Sequence, residues 1–159
     1  MGEALRAAAA RPPAVIVGSS LGALVALAVA RRGAGAPLVL IAPALGFGAR
    51  WTEKLPAQET IPVFHHGADR ELQIHRRFFE QMGTLDVDQE PPVSRVTIVM
   101  GENDESVPYE LVREVWRSWE ATGRLAKDSR FVPVAGGDHG LVDHVGVIAN
   151  EIRVAIGRR

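Results

Sequence analysis

The apolar positions of this chain fall into short β-branched runs separated by stretches with helical spacing. Ala14-Val15-Ile16-Val17 has no polar alternation, which predicts a strand buried on both faces. Leu38-Val39-Leu40-Ile41 and Val96-Thr97-Ile98-Val99-Met100 predict two more strands, and Phe131-Val132-Pro133-Val134 a further one. Pro133 has no N–H to give a ladder, so the last strand belongs at or near a sheet edge. Helices are expected between them. Residues 3–10 predict a short helix broken by Pro12 and Pro13. Residues 21–32 predict a helix with Arg31 and Arg32 at its negative end and Gly33 as its stop. From Pro108 to Thr122 a helix presents Leu111, Val112, Val115, Trp116 and Trp119 on its apolar face, with Glu110 in the first turn and Gly123 at the end. The last helix spans about 144–156, with Val145, Ile148, Ile152, Val154, Ala155 and Ile156 as apolar positions. Residues 43–94 are less regular. The spacing of Leu72, Ile74 or His75, Phe78, Phe79 and Met82 predicts a helix over 69–82, and Pro91 and Pro92 close the segment.

Strands alternating with helices imply an α/β fold, a mainly parallel sheet of about four strands with flanking helices. Residues 1–159 then form a single domain, in which 45–90 replace a short crossover and are expected to form a lid or cap insertion. In such sheets ligands collect beyond the C-terminal strand ends. Those ends carry Gly18-Ser19-Ser20, Ala42-Pro43, Gly101-Glu102-Asn103-Asp104 and Gly136-Gly137-Asp138-His139. A hydroxyl, a carboxylate and an imidazole thus stand at three of the four ends.

Composition narrows the function classes. The chain has 159 residues, 47% hydrophobic and 23% charged, enough for one buried core. A formal net charge of -1, with no basic run, gives no support for a nucleic-acid partner. The absence of cysteine excludes disulfides, a thiolate nucleophile and a cysteine-ligated zinc site. His65 and His66 have no further ligands near them in sequence, so no metal is expected. No signal-peptide core is visible, and the longest apolar run, 21–30, is too short to span a bilayer. No membrane association and a cytoplasmic location are therefore expected.

Gly18-Ser19-Ser20-Leu21-Gly22 fits G-x-S-x-G between a strand and a helix. Glycines two residues either side of Ser20 would let strand and helix approach closely, and the turn would aim the hydroxyl beyond the sheet. The N–H of Leu21 would lie at a helix N-terminus, where it can stabilise an oxyanion. A serine–glycine turn that caps the helix or cradles a phosphate is the alternative. A serine hydroxyl needs a base, and His139, in a glycine-flanked loop, is the best candidate. His144 is its local rival, while His65, His66 and His75 fit surface or lid positions. A carboxylate can orient the imidazole. Asp104 is the candidate, with Glu102, Glu105, Asp138 and Asp143 as rivals, and a solvated loop carboxylate is the usual fate of any of them.

At these residues the chain resembles the α/β-hydrolase superfamily over nearly its whole length. VGSSLG (17–22) resembles the nucleophile elbow. GENDESVP (101–108) resembles the acid loop G-x-x-D-x-x-V-P and maps the acid onto Asp104. GGDHG (136–140) resembles the histidine loop and maps the base onto His139. With IAPAL (41–45), the chain looks most similar to the small bacterial esterases of the UPF0227 group. The resemblance implies hydrolysis of a small carboxylic ester or thioester through an acyl-serine on Ser20, with no cofactor. Trp51, Phe64, Phe78 and Phe79 could then line an acyl pocket, although for each taken singly the expected role is packing of the lid against the body.

The sequence departs from the family in one respect. Family members carry several strands before the elbow, one of which leads to a second oxyanion donor. Here the elbow begins at residue 18, and Leu21 is the one clear donor. Loss of a donor can lower the rate about 10²–10³-fold. The strand at 14–17 also becomes an apolar edge open to pairing. Two expectations follow: an N-terminally truncated reading of a longer gene, or a homodimer formed through this edge. A non-catalytic binding or interaction domain with an incomplete oxyanion hole is the alternative function.

Overall fold

The computed structural model describes residues 13–46, 56–65, 69–83 and 87–157. The helix expected at 3–10 and Trp51 lie outside the described residues, as does the side chain of Phe64. The chain divides into two compact units, Met1–Leu45 with Val87–Arg159, and Gly46–Asp86.

The first unit is an α/β layer structure. Its strands are β1 (Ile16–Ser19), β2 (Leu38–Ile41), β5 (Val96–Gly101) and β6 (Arg130–Val134), in spatial order β1-β2-β5-β6. All three pairings are parallel; Ile16 lies opposite Leu38, Leu38 opposite Val96, and Thr97 opposite Arg130. The helices are α1 (Leu21–Val29), α3 (Tyr109–Ala121) and α4 (Val145–Gly157). The central strands are apolar apart from Thr97 because helical layers cover a parallel sheet, and every residue of β5 is buried. Val39, Val99 and Val134 face α4 and cluster with Leu141 and Ala155. Side chains alternate along a strand, so Leu38, Leu40 and Ile98 face the other way. Phe131, the register partner of Ile98, meets Tyr109 and Trp116 of α3 there.

β6 lies at one edge of this described sheet, where the missing donor of Pro133 is tolerated. β1 lies at the other. It starts two residues later than its apolar run, because its extent is set by pairing with residues 38–41. It is not buried on both faces: Val17 is 43% exposed. α1 passes into a wider turn, Ala30–Ala34, and stops where Gly33 takes the left-handed backbone at φ 93. α3 buries Val112, Trp116 and Trp119, at helical spacing, and Trp119 Nε1 donates to the Asp88 carbonyl at 2.7 Å. In α4, Glu151 is buried whereas Val145 and Ile156 are exposed. Val145 and Ile156 are among the expected apolar positions of this helix, and buried Glu151 pairs with Arg130 of β6.

The second unit contains β3 (Thr60–His65), β4 (Arg70–His75) and α2 (Arg76–Gly83). β3 and β4 pair antiparallel, Thr60 opposite His75 and His65 opposite Arg70. The helix expected over 69–82 is therefore corrected: its first half is strand. Glu71, Gln73 and His75 are exposed and alternate with half-buried Leu72 and Ile74, a period of two that the strand pairing selects. In α2, Phe79 is buried and meets the ring of exposed Phe78 edge-on at 5.4 Å.

Candidate active site

Ser20 stands between β1 and α1 with φ 51 and ψ −122, a backbone region that residues with a Cβ rarely adopt. Its surroundings over-determine that conformation. The Ser20 N–H donates to the Ile41 carbonyl at 2.9 Å, and its own carbonyl accepts the N–H groups of Ala23 and Ala44, each at 3.1 Å. Gly18 is required by space: a Cβ there would lie 2.6 Å from the Gly22 carbonyl oxygen and 2.7 Å from Ala23 Cα. Gly22 differs from expectation, since a Cβ there would meet nothing within 4 Å. Leu21 opens α1, so its N–H belongs to the first turn, which intrahelical carbonyls leave unsatisfied.

Asp104 follows β5 and is buried. Its Oδ1 accepts the N–H groups of Ser106 at 2.9 Å and Val107 at 2.8 Å. Its Oδ2 lies 2.8 Å from His139 Nδ1. The carboxylate of Asp104 accepts, so Nδ1 carries the proton and Nε2 presents its lone pair to a hydroxyl. That nitrogen lies 3.0 Å from Ser20 Oγ. The hydrogen bond that His139 donates to Asp104 is the largest cause holding the His139 pKa above the usual 6.5; desolvation opposes it, and the charges of Asp104 and Asp138 add to it.

Close backbone approach brings the acid and histidine loops together. A Cβ on Gly101 would lie 2.3 Å from the Gly137 carbonyl oxygen. Asn103 N–H donates to that oxygen at 2.9 Å, and Glu102 N–H donates to the Val134 carbonyl at 3.1 Å. The rivals stand elsewhere. Glu102, Glu105 and Asp143 are exposed, and Asp138 bonds the Leu141 N–H. His144 lies in the short 3-10 turn before α4, not in the helix. His75 accepts the Arg77 N–H and meets Glu59 in the second unit. His66 and the side chain of His65 lie outside the described residues. Sequence reasoning missed the supports: the Ala44 N–H behind Ser20, and Ser106 and Val107 behind Asp104. Backbone donors leave no residue-type signal. The Asp138 turn does leave one, an acidic residue three positions before an apolar one.

A family model described as an uncharacterised protein family, UPF0227, matches residues 3–140. No curated protein matches the chain. Among solved structures the chain is similar to Est1E from Butyrivibrio proteoclasticus, with ferulic acid bound: TM-score 0.64, 20% identity, covering 86% of this chain and 55% of that one. It is similar to the esterase domain of a Rhodothermus marinus protein, with TM-score 0.66, 18% identity and coverage of 96% and 64%. It is also similar to alpha/beta hydrolase domain-containing protein 10 from mouse, with TM-score 0.64, 21% identity and coverage of 91% and 62%. At such identities the likeness shows the fold, that of the α/β-hydrolases. The chain spans less than two thirds of the length of each of these structures.

Proposed function

Because the chain belongs to UPF0227, an uncharacterised protein family, and has the α/β-hydrolase fold, we propose that it is a serine hydrolase that cleaves a small carboxylic ester or thioester. The observation that carries the proposal is the continuous relay from Ser20 Oγ through His139 to Asp104, at 3.0 and 2.8 Å. Two of the similar structures are an esterase domain and a protein holding a ferulic acid, which favours an acyl substrate.

In this mechanism His139 Nε2 takes the Ser20 proton as Oγ attacks the acyl carbon. Asp104 keeps Nδ1 protonated and stabilises the imidazolium. The Leu21 N–H supports the oxyanion. The imidazolium returns its proton to the departing alcohol or thiol, which leaves an acyl-serine. Water, deprotonated by the same ring, then releases the acid. No step needs a cofactor. The role proposed for residues 45–90, which lie between β2 and β5 in sequence, is that of a lid or cap insertion.

A fluorophosphonate probe tests the nucleophile. Wild type should be labelled, and Ser20→Ala should abolish labelling. Labelling that persists in Ser20→Ala removes the assignment. A folded wild type that is never labelled overturns the hydrolase reading in favour of a non-catalytic binding domain.

A further inference from the structure

Asp138 is exposed and precedes the base in the chain, and its carboxylate bonds the backbone of the loop. Its Oδ1 accepts the Leu141 N–H at 2.8 Å. Leu141 has left-handed backbone, φ 50 and ψ 27, which a leucine disfavours. Two things hold it there: the bond to Asp138, and a side chain fully buried with Val39, Val99 and Val134. The Leu141 carbonyl in turn accepts the His144 N–H at 3.0 Å, which starts the turn into α4. Upstream, Gly137 is wedged against Gly101, and a Cβ on Gly137 would lie 2.6 Å from Leu141 Cδ2. His139 therefore rides on a short arch anchored at Gly137 and at Leu141, and Asp138 ties the arch shut.

We infer that Asp138 is a positioning residue, whose carboxylate closes the 138–141 turn and so holds the His139 imidazole between Asp104 and Ser20. The inference rests on the reading of those three residues as a relay. The charge of Asp138 has a second effect, because it favours the imidazolium. The other titratable groups on the segments around the ring are Asp104, Glu102 and Glu105 after β5, and Asp143 and His144 after Leu141. The elbow contributes the Ser20 hydroxyl.

Two variants of the full chain separate the turn from the charge. Asp138→Asn keeps an acceptor oxygen and removes the charge; Asp138→Ala removes both. The Nδ1 proton of His139 and the ring's titration are followed by NMR, and Ser20 reactivity by the rate of fluorophosphonate labelling. Asp138→Asn should keep the low-field Nδ1 proton signal, shift the His139 titration to lower pH, and label at a rate close to wild type at pH above the titration. Asp138→Ala should broaden or lose that signal and label about 10- to 100-fold more slowly, the scale of a misplaced catalytic group. With p-nitrophenyl acetate, its loss should fall on kcat rather than KM. An Asp138→Ala protein with the wild-type Nδ1 signal and labelling rate overturns the inference. So does an Asp138→Asn protein as impaired as Asp138→Ala. If wild type is never labelled, the hydrolase reading fails, while the Nδ1 signal still decides the role of Asp138.

Discussion

At the scale of residues, the site is governed by where a single Cβ fits. Gly18 and Gly22 flank Ser20 symmetrically in sequence, but only Gly18 faces backbone at under 3 Å. Gly18→Ala should force the elbow open and abolish fluorophosphonate labelling. Gly22→Ala, in the open first turn of α1, should retain labelling and raise stability by up to about 0.5–1 kcal/mol in thermal denaturation. The imidazole supplies a second prediction. Asp104 raises the His139 pKa above 6.5, and only the neutral ring accepts a proton. Ester hydrolysis should therefore fall as pH drops through a value above 6.5. Stability runs the other way. The folded state holds that proton more tightly than the unfolded chain, so the contribution is complete below 6.5 and is lost as pH rises through the folded value. A flat rate profile from about pH 5 to 8, where imidazoles titrate, would remove His139 as the base.

At the scale of elements, α3 follows the acid loop in the chain and packs on β6. Asp104 lies between β5 and α3, and α3 is held to the sheet by Trp116 against Phe131 and by the fully buried Trp119. Trp119→Ala should destabilise the protein by about 3–5 kcal/mol in denaturant unfolding, because it leaves a large cavity. Trp119→Phe should cost less, roughly the hydrogen bond to Asp88, about 0.5–1.5 kcal/mol, plus a smaller volume change. Equal losses in the two variants would mean that the indole body does not carry the packing. The β3–β4 pair shows the opposite relation between sequence and element. Its residues 70–75 fit a helical stripe as well as an alternation, and the partner strand at 60–65 makes the choice.

At the scale of the molecule, β1 and β6 are the edges of the described four-stranded sheet, and they are protected differently. β6 carries Pro133 at its edge; β1 offers an exposed Val17. The proposal that a second copy covers β1 predicts a dimer in sedimentation velocity that Val17→Lys converts to monomer. A stable wild-type monomer would reject it.

The sequence by itself determined the fold class, because buried parallel strands must be apolar runs and crossover helices must have one apolar stripe. It also determined which residues stand at the strand ends, since turn glycines and local motifs are short-range features: Ser20, Asp104 and His139 were all legible there. Choosing among Asp104, Glu102, Glu105 and Asp138 required the family resemblance, and only the contacts showed that Asp104 meets His139 while Asp138 meets the Leu141 N–H. Tertiary structure alone decided that Gly18 is needed and Gly22 is not, that 70–75 is strand, that Glu151 is buried, and that Asp138 ties a turn. Each of these depends on a neighbour far away in the chain or on the path of the backbone, neither of which a local apolar pattern encodes.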